Sequence, residues 1–101
     1  MKCINISRVT RFVQTFINNL TDFQITGLYC IQKNFPDPQS ISLKKTTVCL
    51  VWKNLILRIP EANGLTYDVY NHVGVTGGGA SGVNKHNIAS TLKGLKGYVK
   101  S

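Results

Sequence analysis

The strongest chemical signal in this chain is a run of glycines, Thr76-Gly77-Gly78-Gly79-Ala80-Ser81-Gly82-Val83-Asn84-Lys85. Glycine has no Cβ, so such a run can take positive φ and turn successive backbone N–H groups toward an anion. A helix that follows adds the positive end of its dipole. Residues 77–82 therefore predict a glycine-rich turn between a strand and a helix, with Gly77, Gly78, Gly79, Ser81 and Lys85 as candidate phosphate contacts. A nucleoside triphosphate fits the run poorly. A P-loop needs Gly-x-x-x-x-Gly-Lys followed by Ser or Thr, whereas Val83 and Asn84 follow Gly82 and Lys85 is displaced by two residues. No acid follows Asp68 to hold magnesium, and there is no dinucleotide fingerprint. A nucleic-acid backbone phosphate suits the run better. The plainer reading is that the glycines only permit a tight turn.

Other chemistries have less to stand on. The four acids, Asp22, Asp37, Glu61 and Asp68, are scattered. General acid–base catalysis needs a paired carboxylate or a histidine oriented by an acid, and only Asp68 and His72 lie close in sequence, where they read as a solvated pair. Ser81 is not in a nucleophile elbow of the Gly-x-Ser-x-Gly form. His72 and His86 make no ligand-spaced set with cysteine or acid, so neither a metal nor another cofactor is expected. Cys3, Cys30 and Cys49 are an odd number at wide spacing among apolar neighbours, which reads as buried thiols rather than a disulfide scaffold. The expectation is a protein that is not an enzyme and has no small-molecule substrate.

Charge points to a polyanion. Among 101 residues, twelve Lys or Arg face four acids for a formal net charge of +8. A field of that sign attracts nucleic acid, although soluble lysines also serve simply to keep a small protein dispersed. The cations of the last third, Lys85, Lys93, Lys96 and Lys100, have no acid among them. Nine of the twelve cations are Lys, which bind phosphate as point charges and offer less planar base readout than Arg. Tyr98 lies among these lysines and can stack on a base or ribose, while Trp52 and most other aromatics read as core.

The elements that must position these groups form one domain at most. Apolar residues make up 43% and charged residues 16%, so a folded core is expected, modest for this length. No apolar run approaches the roughly 20 residues that span a bilayer, so no membrane is expected. Residues 1–12 are basic and acid-free with a faint flavour of a mitochondrial presequence, but they run directly into patterned sequence and read better as a first strand. From Val9 onward the apolar spacing is helical, while Ile4 to Ile6 alternates, leaving helix and strand both open for this block. Residues 25–32 read as a strand, and Asn34-Phe35-Pro36-Asp37-Pro38 as a loop. Residues 42–59 admit a buried helix capped by Ser42 and ending at Pro60, or a hairpin turning at Lys53-Asn54. Residues 65–75 suit one bent strand or two short ones around Asn71-His72. Ile88, Leu92, Leu95 and Val99 then mark one face of a helix over 84–99 that Asn84 or Asn87 caps, leaving Lys93, Lys96 and Lys100 largely off the apolar stripe.

Taken in order, these motifs resemble the eleventh small-subunit ribosomal protein family, the bacterial-type platform protein. Ile4-Asn5-Ile6-Ser7 with Phe12-Val13-Gln14-Thr15 resembles its opening hairpin, and Lys44-Lys45-Thr46-Thr47 the basic element that opens its buried helix. Val73-Gly74-Val75-Thr76-Gly77-Gly78-Gly79 is similar to its Val-x-Val-Lys-Gly-x-Gly turn, and Ser90-Thr91-Leu92-Lys93-Gly94-Leu95 to the helix just after. The resemblance implies an α/β fold, a single layered domain with a mixed β-sheet, one central helix over 42–59, strands within 4–18 and a C-terminal helix after the glycine-rich turn. It implies rRNA contacts from Lys44 and Lys45. Thr76 and Gly82 replace the family's lysine and arginine, and the family's basic tail is absent, so Lys85 and Lys100 become the substitutes. The ninth small-subunit family, which also places Gly-Gly-Gly-x-Ser-Gly before a helix, implies the same function.

The expected function is thus a structural constituent of the small ribosomal subunit. Its partners would be ribosomal RNA and neighbouring small-subunit ribosomal proteins. Nine Asn and nine Lys hint at AT-rich coding, hence an organellar, mitochondrial ribosome, and otherwise a cytoplasmic one. The alternative is a small basic DNA-binding regulator. Residues 55–78, with strands, a Thr-Gly turn and a basic final helix to follow, resemble one lobe of a TATA-binding protein, and a lone lobe would need to dimerise on duplex DNA. A nucleotide-binding enzyme fragment is a third reading.

Overall fold

A computed structural model describes residues 7–99. The elements run α1 (Arg8–Phe16), a 3-10 turn (Ile17–Asn19), α2 (Asp22–Asn34), β1 (Ser40–Lys44), β2 (Thr47–Val51), β3 (Leu55–Ile59), β4 (Gly64–Asn71), β5 (Gly74–Ser81), α3 (Ile88–Leu95) and a final 3-10 turn (Lys96–Tyr98). The five strands form one sheet in the order β1-β2-β3-β4-β5, each pairing antiparallel with the next. Helices cover one face. The chain is thus an α/β layered domain, the class that the resemblance implied, but its sheet is an antiparallel meander where a mixed sheet was expected. Short connections between successive strands allow only antiparallel pairing.

The first two helices start at hydroxyl caps. The Ser7 side chain accepts the Thr10 N–H, and Thr21 forms a capping box with Gln24, accepting its N–H while the Gln24 Oε1 accepts the Thr21 N–H. The helical reading of the first block therefore holds from Arg8 to Phe16. The strand expected over 25–32 is instead the middle of α2. Its β-branched and aromatic residues favour a strand, but Gln24, Gly27, Leu28 and Ile31 are buried at helical spacing and the capping box sets the start. Gly27 lets α2 and α3 approach closely: a Cβ there would lie 2.8 Å from the tip of the Ile88 side chain of α3, which would have to shift.

No helix forms over 42–59. Those residues are β1 to β3, and Ser42 lies inside a strand rather than at a cap. Of the two readings left open, the hairpin turning at Lys53-Asn54 is the one adopted. Val48, Leu50, Leu55, Leu57 and Ile59 are buried while the residues between them are only half-buried, a period of two that no helix can satisfy. Residues 65–75 likewise divide into two strands, joined at His72-Val73.

The core lies between sheet and helices. Val9, Phe12 and Val13 of α1, Leu28 and Ile31 of α2, and Ile88, Leu92 and Leu95 of α3 close over the inward residues of β2, β3 and β4. Phe35 and Trp52 pack with ring centroids 5.3 Å apart, and the Trp52 indole N–H donates to the Pro36 carbonyl at 2.8 Å. Gln24 is the one polar residue in this core, fully buried. Its Nε2 donates to the carbonyls of Thr46 at 2.7 Å and Ile59 at 3.1 Å, tying α2 to one end of the sheet. The strand expected at Ile4 to Ile6, the opening hairpin within 4–18 where it involves them, Cys3 and Lys100 lie outside the described residues. The remainder of 4–18, from Arg8, is helix and not strand. Cys30 and Cys49 are free thiols, half-buried rather than buried.

Candidate nucleic-acid interface

The glycine run is a strand. Gly77, Gly78, Gly79 and Ser81 belong to β5 and pair with Asp68, Tyr67, Thr66 and Gly64 of β4, so they do not form the turn that would cradle a phosphate. The turn begins only at Gly82, whose φ of 72° takes the chain into the left-handed region. Cross-strand packing explains part of the run. A Cβ on Gly78 would sit 2.6 Å from the Tyr67 ring, which lies over the glycine on the helix side of the sheet. The six residues that follow, 82–87, are closed on themselves. The Asn84 Oδ1 accepts the N–H groups of His86 and Asn87, and the Asn87 side chain accepts the Asn84 N–H and donates to the Gly82 carbonyl. Asn87 stands at the N-cap position of α3, but its side chain bonds into the preceding turn and makes no cap bond, and Asn84 lies in that turn. The helix runs over Ile88–Leu95 and a 3-10 turn follows, where one helix over 84–99 was expected.

The candidate lysines are exposed but do not converge on the glycines. Lys44 ends β1 and Lys45, at φ 56°, begins the β1–β2 turn. Lys85 lies in the loop after β5, Lys93 in the last turn of α3, and Lys96 at the start of the final 3-10 turn. In an antiparallel meander the β1–β2 turn, the β3–β4 turn and the end of β5 share one end of the sheet. The β2–β3 turn with Lys53 and the β4–β5 turn with His72 share the other.

At that second end lies a cleft of about 770 Å³, lined by Lys53, Asn54, Val69, Tyr70, Asn71, His72, Gly97 and Tyr98. It sets two exposed tyrosine rings beside a lysine and a histidine, with no carboxylate in its lining. Tyr98, 46% exposed, is therefore placed where a base could stack. Lys53 and Tyr70 were missed from sequence because the cleft joins segments far apart in the chain.

The largest feature is the sheet face opposite the helices. Alternation puts Ser40, Ser42, Thr47, Cys49, Val51, Ile56, Arg58, Thr66, Asp68, Tyr70, Val75, Gly77 and Gly79 there, and none of them is buried. The surface is made of hydroxyls, small residues and β-branched side chains. Near its middle the Arg58 guanidinium donates to the Asp68 carboxylate at 2.6 Å. Asp68 thus faces Arg58 and not His72, since residue 68 lies opposite Ile56, diagonal to Arg58, while His72 is in the turn. Sequence reasoning missed Arg58 because nothing local marks it; only strand register puts it on the open face.

Among the described residues no group of three or more His, Cys, Asp or Glu is gathered at metal-binding distance, and no helix is long and apolar enough to cross a membrane. No family model, curated protein or solved structure matches this chain.

Proposed function

We propose that the protein is a non-catalytic nucleic-acid-binding domain that lays the open face of its sheet on duplex DNA. The observation that carries this reading is the uncovered sheet face, rich in hydroxyl and small side chains and centred on Arg58, in a chain of net charge +8. Sheet faces of this composition enter a groove closely, with hydroxyls and arginine available to base edges and phosphates. Lys44 and Lys45 at one end of the sheet and Lys53 at the other supply flanking phosphate contacts. Residues 55–78, whose sequence resembles one lobe of a TATA-binding protein, are consecutive antiparallel strands, and the helix after them carries Lys93 and no acid. By contrast, the helix over 42–59 and the strands at 8–16 that the ribosomal resemblance implied are absent.

The test is fluorescence anisotropy of the full chain with labelled duplex DNA at several salt concentrations. Affinity should fall steeply between about 50 and 200 mM salt, with a slope near −0.9 per phosphate contact. Arg58→Ala should weaken binding without unfolding the protein. A flat salt response, or an Arg58→Ala variant that binds as well as the parent, overturns the reading.

A ribosomal role is the second reading, favoured by one observation: cations lie at both sheet ends and on α3, a spread that suits contact with folded RNA. It predicts that the native protein cosediments with small ribosomal subunits and that the Lys93→Ala/Lys96→Ala double variant does so less while remaining folded. On that reading Lys44, Lys45, Lys85 and Lys100 are further contacts and single-stranded bases occupy the Tyr98 cleft.

A further inference from the structure

The two edges of the sheet are not alike. β1, five residues long, carries Lys44 and follows a loop with two prolines, the short, charged and interrupted edge that folded proteins use to refuse further strands. β5 has none of these devices. It is eight residues long, with no charge, no proline and four glycines, and among the described residues no strand lies beyond it. Every second residue of an antiparallel edge strand turns its N–H and C=O away from its neighbour, so β5 offers a row of unpaired backbone groups about 27 Å long, at ~3.4 Å per residue.

Exposed apolar residues gather at the same place. Tyr70 pairs with Val75 across β4 and β5, and Val73 tips their hairpin, with Val75 57% and Val73 86% exposed. Charge then selects the partner. Residues 69–84 contain no Asp, Glu, Lys or Arg, although the chain as a whole carries +8. Nucleic acid or an acidic protein would seek the surfaces that carry Arg58 and the lysines instead. Two copies of a strongly cationic chain meet with least repulsion where neither has charge, and an antiparallel strand is complementary to itself about a two-fold axis.

We infer that β5 pairs with β5 of a second copy, joining two meanders into one continuous ten-stranded antiparallel sheet. The likeness to one lobe of a TATA-binding protein already calls for a dimer, so this pairing deepens that reading. The edge that forms the seam follows from β5 alone, so pairing can fail while DNA binding stands, and pairing would place two open faces side by side. A seam of one strand buries less than a standard protein interface, so dissociation on the order of micromolar is expected. Salt should strengthen the dimer by screening the repulsion between cationic copies, the opposite of its effect on nucleic-acid binding.

Sedimentation velocity of the full chain without nucleic acid, from about 1 to several hundred μM and at two salt concentrations, tests this. The expected result is a monomer that converts to dimer as concentration and salt rise. Val75→Lys and Thr76→Lys, at exposed edge positions, should each shift that conversion at least tenfold upward in concentration with an unchanged circular dichroism spectrum. Ser42→Lys on β1 should leave it in place. Hydrogen exchange should show the outward-facing β5 amides, those not bonded to β4, gaining protection with concentration. A monomer at all concentrations, a dimer indifferent to both β5 lysines, or outward-facing β5 amides already protected at the lowest concentration overturns the inference.

Discussion

The two faces of the sheet differ in what they tolerate. Facing the helices, Val48, Leu50, Leu55, Leu57 and Ile59 are wholly withdrawn from water and interlock with side chains from all three helices. On the other face, residues one position along the same strands keep part of their surface in solvent, among them Cys49, Ile56 and Arg58. Period-two alternation therefore divides labour within single strands. One set of side chains supplies the free energy of folding and the adjacent set is released for contact with a partner.

The largest effect should come from the covered face. Leu57→Ala removes a fully buried side chain from the middle strand and should cost about 2–5 kcal/mol in urea unfolding. A loss as small as that of an open-face truncation would erase the contrast. Gln24→Leu should cost about 1–3 kcal/mol, because the carbonyls of Thr46 and Ile59 lose their donor where α2 meets the sheet. An unchanged unfolding midpoint would mean that water replaces that donor. The smallest effect on stability, and the sharpest on binding, should come from Asp68→Asn. Releasing Arg58 from its carboxylate partner on the open face should leave the urea midpoint nearly unchanged and tighten DNA binding several-fold, with a steeper salt slope in the anisotropy titration. Weaker binding would show that Asp68 holds Arg58 in its working position.

What could be read from the sequence followed from how local each cause is. The proline loop, which starts one residue later than expected, and the stripe of Ile88, Leu92 and Leu95 on the last helix depend on neighbours a few residues apart, and both are present. That helix is nevertheless shorter than the 84–99 expected, and its cap residue Asn87 makes no side-chain cap bond. Residues 25–32 misled because propensity favours a strand there, whereas the deciding partners, Ile88 beside Gly27 and the carbonyls held by Gln24, come from the far side of the domain. The glycine run misled for the same reason. Its meaning depends on the Tyr67 ring opposite Gly78, and a list of glycines is equally compatible with a phosphate turn. The α/β class came with a resemblance whose particular elements, the helix over 42–59 and the strands within 8–16, are not the ones that form. The open face with Arg58 needed strand register, which no local pattern supplies.

Trp52 has a further consequence. The chain holds a single tryptophan, and it stands at the joint between the helical layer and the meander, its indole bonded to the carbonyl of Pro36 and its ring against Phe35. The molecule thus carries its own optical gauge at the seam. Its emission wavelength reports whether the helices are seated, so an open-face variant that leaves that colour unchanged has altered recognition while the architecture stays assembled.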